Sequence, residues 1–428
     1  MFAANCGNMA RCANQLGDMM FEWVIILFLG SGLLYGLQSR RLQRRNISSP
    51  MMMVLIGGLI ALPLGIWHEP PLAPFADRLH FATGFAEMTL AIILFLDAAV
   101  LDYRKERPAM RLANRLLLIG LPLTIGVTWA FIIGLHPSIG VLPALILALI
   151  VSPTDAALGR PVLENKSVPN PVRQGINIES GLNDGLVLPV FTAAVLLEAD
   201  IVGESNNGWL TEAMLEISIG IGVGLFTGYV IGQIVNHAVT HNTILDRFER
   251  ILGVLAALFI FALCEKLGGN GFVAAFAGGL ALNISSQKVR ESIESFGEAE
   301  SELLTMLTFF IFGLVVIPAV YQLWTWEMLI FSAVSLVILR PLCVWICMIK
   351  SPYSLAEKLY IGWFGPRGIA SIIYLLIMST IINPKSYEPL IATAVMIVTI
   401  SVIVHGLSAA PLSHMLVRHL RRKKPQQS

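Results

Sequence analysis

The sequence predicts an all-α polytopic membrane protein of about 13 transmembrane helices, arranged as two inverted six-helix repeats with broken crossing helices at spans five and twelve. Three observations carry that prediction. Hydrophobic residues fill 56% of the 428 positions and charged residues only 13%, about half the charged share of a soluble protein. Apolar runs long enough to cross a hydrocarbon core recur along the whole chain. Basic residues divide unequally between alternate loops. A soluble globule still needs a charged exterior, so this composition excludes a cytosolic enzyme, a disordered protein and a nucleic-acid binder. The 29 Lys and Arg nearly cancel the 28 Asp and Glu, so bulk charge names no partner and the information lies in where the charges sit.

A crossing helix needs about 20 apolar residues. Such runs start near Phe21, Met52, Phe81, Leu112, Ser138, Gln174, Thr211, Ile251, Gly271, Ser301, Glu327, Ser354 and Glu388. The run from Ile251 to Leu282 is too long for one helix, and Gly268-Gly269-Asn270-Gly271 is a turn signal that divides it. Fusing the two halves gives the alternative count of twelve. With thirteen spans, one set of loops holds 23 basic residues, among them Arg40, Arg41, Arg107, Arg111, Arg160, Arg173, Lys350, Lys358, Arg418 and Arg422. The opposite set holds 4: Arg11, Arg78, Lys266 and Lys385. The positive-inside rule then places the N-terminus outside and the C-terminus in the cytoplasm. Fusing the eighth and ninth spans would carry the basic tail outside. The organisation expected is a short extracytoplasmic stretch at 1–20, a transmembrane domain at 21–416 and a short basic cytoplasmic tail at 417–428. Residues 1–20 lack the basic, apolar and small-residue order of a signal peptide. Cys264, Cys343 and Cys347 lie in apolar runs and read as packing residues, while Cys6 and Cys12 leave a disulfide open.

Two basic residues remain, Arg340 and Arg367, and both sit in apolar sequence. Acidic residues also fall inside spans: Glu87, Asp97, Asp155, Glu179 and Asp184. Glu265 and Asp102 lie near span ends and read as interfacial. A charge at the centre of a membrane helix costs at least about 2.5 kcal/mol, so such residues face partners or a water-filled cavity, and ion or proton transport is the default reason for keeping them.

In span five, Val151-Ser152-Pro153-Thr154-Asp155 interrupts an apolar helix. Pro153 removes a backbone donor, so carbonyls near 149–152 lose helical partners and can face an ion. The Thr154 hydroxyl and carbonyl and the Asp155 carboxylate are oxygen donors of the kind that suits hard cations. The competing reading is a tolerated proline kink with a capping Asp. In span six, Asn177-Ile178-Glu179-Ser180-Gly181-Leu182-Asn183-Asp184 places Ser180 and Asp184 four apart on one face, with Glu179 and Asn183 on the neighbouring one. An internal hydrogen-bond network is the plain alternative, and for Glu179 the buried arginines are natural partners. Span twelve is interrupted in turn at Gly362-Trp363-Phe364-Gly365-Pro366-Arg367-Gly368. Transporters built from inverted repeats often cross such discontinuous helices at a midplane site, and two breaks seven spans apart fit six-span repeats after an extra first helix.

These motifs resemble the NhaP-type sodium/proton antiporters of the monovalent cation:proton antiporter superfamily. The resemblance rests on Ser152-Pro153-Thr154-Asp155-Ala156-Ala157 with Glu179-Ser180-Gly181-Leu182-Asn183-Asp184. It extends to Gly269-Asn270-Gly271-Phe272, Phe296-Gly297-Glu298, Arg340 and Gly365-Pro366-Arg367-Gly368. It implies a homodimeric exchanger with a six-helix core and a dimerisation domain in a bacterial inner membrane. It implies Na⁺ (or Li⁺) bound at Asp155 and Asp184 with help from Ser180 and the Thr154 carbonyl, and a further acid on span three. Asp97 is the candidate there and Glu87 the second choice. Asn183, the Glu179–Arg340 pair and Arg367 become structural supports. No cofactor is implied, since Na⁺ and H⁺ are transported substrates, and no ligand-gating domain is expected with the chain stopping near Ser428. Asn183 stands where electrogenic relatives carry a second aspartate, which points to electroneutral exchange.

Competing function classes are separable. K⁺/H⁺ exchange by the same fold is the nearest, because ligand types divide the two ions poorly. A passive cation channel would not move protons against a cation gradient. A membrane enzyme lacks support: no span carries His-Glu-x-x-His or Gly-x-Ser-x-Gly. His405 reads as a core histidine, and His237 and His241 as a solvated helix end with the option of pH sensing. A topology reporter fused ahead of Phe21 is expected to report an extracytoplasmic location; activity of the cytoplasmic type there would overturn the thirteen-span orientation.

Overall fold

A computed structural model describes residues 9–68, 79–100, 107–163, 165–203, 208–285 and 287–423. The Cys6–Cys12 disulfide left open by the sequence and the interfacial Asp102 lie outside the described residues, as do the side chains of Cys12, Phe296 and Glu298. Among the described residues every regular element is helical. In chain order they are α1 (Met9–Arg44), α2 (Ser49–Ala61), α3 (Leu79–Ala99), α4 (Arg107–Leu135), α5 (Val141–Val151), α6 (Ala156–Leu163), α7 (Asn170–Ile201) and α8 (Trp209–Thr240). Then come α9 (Asp246–Lys266), α10 (Gly271–Ser285), α11 (Gln287–Ile311, continuing to 323), α12 (Trp326–Cys347), α13 (Leu355–Trp363), α14 (Ile369–Ile381) and α15 (Glu388–Lys423). With α5/α6 and α13/α14 taken as halves of two broken spans, these form 13 units among the described residues, compatible with the predicted count. Six helices in this set are each long and apolar enough to cross a membrane alone. α1 begins at Met9, ahead of the predicted start at Phe21, and α15 runs on to Lys423.

Local chemistry explains the boundaries. Helix α9 and α10 separate where Gly268 takes φ +75°, a conformation that L side chains resist. Ser354 opens α13 with a capping box, its hydroxyl accepting from the Glu357 N–H while the Glu357 carboxylate accepts from the Ser354 N–H. Among the described residues three helices contain a π turn, at Leu116–Gly120, Phe312–Val316 and Ser335–Leu339. Each lies just upstream of a proline, respectively Pro122, Pro318 and Pro341. A proline ring clashes with the carbonyl four residues back, and the wider π turn relieves that clash without breaking the span.

The helices pack in two groups. Helices α4, α5/α6, α7, α12, α13/α14 and α15 form a core bundle, and α2, α3, α8, α9, α10 and α11 form a flanking bundle joined at its edge by α1. Cys264, Cys343 and Cys347 are buried free thiols within this packing, as expected. A tight seam joins α8 and α10, where the backbones touch. A Cβ at Gly224 would lie 2.3 Å from the Ala274 carbonyl oxygen, and one at Gly228 2.2 Å from that of Gly278. Without a hydrophobic drive between helices in lipid, close approach through small residues is what holds such a pair. Gly222, on another face of α8, has open space around it. We expect Gly228→Ala to destabilise the purified protein by about 1–3 kcal/mol, read as a lowered thermal midpoint, and Gly222→Ala to leave the midpoint within error.

Candidate functional site

Both predicted breaks are present, and they cross. Residues 152–155 between α5 and α6 are non-helical, as are 364–368 between α13 and α14. The Asp155 N–H donates to the Pro366 carbonyl at 2.8 Å, and Asp155 Oδ2 accepts the Ile369 N–H at 2.7 Å. Asp155 therefore caps the N-terminus of α14. Gly368 makes this possible, since a Cβ there would collide with the carboxylate. Arg367, 1% exposed, donates from Nη1 to the Ser152 carbonyl and, at 3.0 Å, to that of Pro153. The Ser371 hydroxyl donates to the Ile150 carbonyl at 2.7 Å. The expectation that carbonyls at 149–152 face an ion is corrected for Ile150 and Ser152, which span-twelve side chains occupy. The reason is physical: no water reaches the bilayer core, so a broken helix must find its hydrogen bonds within the protein.

Helix α7 closes on this crossing from one side. The Ser180 hydroxyl donates to the Thr154 carbonyl at 2.8 Å. Asn183 Nδ2 donates to the same carbonyl at 3.1 Å and to Thr154 Oγ1 at 2.7 Å. The Thr154 hydroxyl in turn donates to Glu179 Oε2 at 3.1 Å. Arg340 Nη2 lies 3.3 Å from both Glu179 oxygens, the predicted buried pair. Gly365 leaves the space Arg340 fills, because a Cβ there would overlap the guanidinium. The neighbouring faces read from the sequence thus converge on one residue, Thr154. Tyr374 on α14 donates its hydroxyl to the Asp184 carbonyl at 2.8 Å and ties α7 to the second break.

A cavity of about 360 Å³ opens beside the crossing, between the core bundle and α3 and α11. Asp97, Asp155, Ser180 and Asp184 line it. Asp97 arrives from α3 and packs on Gly181, where a Cβ would come within 3.2 Å of the Asp97 Cβ. Glu87 lies ten residues earlier, roughly 15 Å along the same helix, near Glu265 and away from the cavity lining. Asp184 Oδ1 and Asn183 Oδ1 are buried without a hydrogen-bond partner among the described residues. No group of three His, Cys, Asp or Glu side chains among the described residues is placed to cage a metal ion.

Sequence reading missed several members. Arg160 was counted as a loop charge, yet it lines the cavity and pairs with Glu302 of α11, which also accepts from the Ser49 hydroxyl. Ser371 and Tyr374 were visible as polar residues in an apolar run. Glu198 is a further buried acid, held by the Tyr387 hydroxyl at 2.6 Å. His405 is a core histidine as read, its Nε2 3.0 Å from the Trp363 carbonyl and its Nδ1 3.0 Å from that of Ser401. His237 and His241 are exposed, with ring centroids 4.0 Å apart.

Crossed half-helices meeting near a cavity are the arrangement found in transporters built from inverted repeats. Residues 24–414 match the family of sodium/hydrogen exchangers, transmembrane region, and the chain belongs to that family. The K⁺/H⁺ antiporter NhaP2 of Shewanella sp. (strain ANA-3) is 26% identical over 367 residues, covering 82% of this chain and 61% of that protein. A Na⁺/H⁺ antiporter of Schizosaccharomyces pombe is 26% identical over 324 residues, 68% of each chain. This chain thus spans about three fifths of the NhaP2 relative's length. The fold is similar to that of the sodium proton antiporter MjNhaP1 from Methanocaldococcus jannaschii, with a TM-score of 0.73 at 19% identity over 94% of this chain and 99% of that one.

Glu179→Ala and Arg340→Ala are each expected to destabilise the protein by about 3–5 kcal/mol, because either leaves an unpaired buried charge. The double variant should be less unstable than the sum of the singles. Simple additivity in thermal melts would show that the pair is uncoupled.

Proposed function

We propose that this protein exchanges Na⁺ (or Li⁺) for H⁺ across a membrane by alternating access. The observation that carries the reading is Asp184: its carboxylate faces the cavity with one oxygen unpartnered among the described residues, beside Asp155 at the crossing. A carboxylate pair in a low-dielectric site serves two ions in turn, since a proton or a cation neutralises it and each displaces the other. Asp155 is oriented by the Ile369 N–H, and the positive end of the α14 dipole stabilises its charge. Ser180 lines the same wall and adds a hydroxyl oxygen, and the Thr154 carbonyl, which accepts from both Ser180 and Asn183, joins the ligand set by giving up one of those bonds. Asp97 approaches from the flanking bundle and can join the ligand set in one of the two access states. Asn183, Glu179, Arg340 and Arg367 hold Thr154 and the broken backbone in place. Transport then consists of the core bundle moving past α3 and α11 with the site loaded.

K⁺ in place of Na⁺ is the second reading, favoured by the names of the bacterial relatives. A homodimer built on the flanking bundle, a bacterial inner-membrane location with the N-terminus outside, and a role in pH and sodium homeostasis complete the proposal. A pH-dye assay in everted vesicles with Na⁺, Li⁺ and K⁺ added in turn separates the ions and excludes a passive channel.

Asp184→Asn is expected to abolish exchange while the protein still inserts and dimerises, because Asn keeps the volume but cannot take up or release a proton. Asp155→Asn should impair transport severely. Near-normal exchange by the Asp184 variant would remove the core of the mechanism. We also expect electroneutral exchange, with one proton per cation. Moving one net charge through 100 mV is worth about 2.3 kcal/mol, so an electrogenic cycle would follow voltage strongly. In proteoliposomes with clamped ion gradients, a valinomycin-imposed potential should leave the equilibrium Na⁺/H⁺ distribution unchanged; a shift with voltage defeats the expectation.

A further inference from the structure

On the outer side of the core bundle, away from the carboxylates, a groove of about 610 Å³ runs between α12, α13 and α15. Its two ends differ chemically. One end is ringed by Arg418, His419 and Arg422 from the last turns of α15. The other is walled by Val337 and Pro341 in the middle of α12. Along the way Leu359 and Met415 line it, 50% and 66% exposed. No acidic residue is among the described residues lining it. The dimensions match one leaflet. Val337 lies ten residues before the end of α12 at Cys347, about 15 Å by the helical rise, which is about half of the hydrocarbon thickness. The basic end therefore sits at headgroup level and the apolar end near the midplane.

We infer that this groove is a binding site for an acidic phospholipid, its headgroup phosphate on Arg418, His419 and Arg422 and an acyl chain laid against Val337, Leu359 and Met415. Charge complementarity selects the occupant. A zwitterionic lipid would fill the apolar part equally well but gain nothing at the basic end, and basic pockets between membrane helices are a recurrent mode of anionic headgroup recognition. The site also touches the crossing. Pro341 follows Arg340, and Trp363, which lines the groove, is the last helical residue before the second break. The Trp363 indole donates to Ser408 at 2.9 Å and its carbonyl meets His405. An occupant thus braces the end of α13 against α15, at the point where the chain enters the unwound stretch.

The test uses the full chain purified in detergent, with phosphatidylglycerol and phosphatidylcholine of identical acyl chains as probes. Native mass spectrometry and thermal melting report binding. Phosphatidylglycerol should be retained in preference and raise the melting temperature more. Arg418→Gln with Arg422→Gln should weaken its binding by about 30-fold, roughly fivefold per charge removed near a surface. Both positions are exposed, so the lipid-free melting temperature should not change. Met415→Trp, which fills the groove without altering charge, should abolish the preference as well. Arg40→Gln with Arg41→Gln, an exposed basic pair on α1, should leave it intact. The assignment fails if the two lipids bind alike, if the Arg418 and Arg422 variant or Met415→Trp keeps the preference, or if the α1 variant loses it equally. It fails also if inorganic phosphate reproduces the stabilisation, because the groove would then be a bare anion site.

Discussion

Everything at the centre of this protein depends on how two broken backbones satisfy each other inside a medium without water. Each interrupted span exposes carbonyls at one half-helix end and N–H groups at the other, and each unmet group costs several kcal/mol in hydrocarbon. The crossing answers one break with the other. Arg367 and Ser371 from the second supply donors to the carbonyls of the first, and Asp155 from the first supplies an acceptor to the N–H of Ile369 in the second. The carboxylate that the reading assigns to the cation is thus also part of the fold.

The remaining buried charges follow the same division of labour. Arg367 is spent on backbone carbonyls, and Arg340 on Glu179. Glu179 passes the constraint to Thr154, and Asn183 and Ser180 fix that residue from the same helix. The chain of contacts Arg340–Glu179–Thr154 therefore links α12, α7 and the first break as one unit. Asp184 stands outside this network on its Oδ1 side among the described residues, which is why the proposed exchange is placed on it.

Much of this was legible in the sequence because a membrane makes polar residues conspicuous. Pro153 and Gly365-Pro366 announced the breaks, the Gly268–Gly271 cluster divided α9 from α10, and the lone buried arginines pointed to Glu179. What was hidden depends on direction and distance rather than residue type. Sequence alone does not say that the carbonyls freed by Pro153 meet Arg367 instead of an ion, since the two lie over two hundred residues apart. Nor does it say that Arg160 turns from a loop to the cavity wall and Glu302. Residue type alone does not separate Asp97 from Glu87 on one apolar helix; the family resemblance favoured Asp97, the one that lines the cavity. The π turns were equally silent, since proline marks a strained helix without saying how the strain is relieved.

The backbone seam between α8 and α10 has a mechanical consequence. Where Gly224 and Gly228 bring peptide planes into contact with Ala274 and Gly278, no side chain remains to change rotamer or yield volume. Such a joint has almost no compliance, and interiors packed this closely transmit displacement rather than absorb it. Helix α10 rests on α3, the helix that carries Asp97. A stiff seam there makes the flanking bundle a rigid wall, so displacement between the two bundles is taken up at the cavity that separates Asp97 from Asp184.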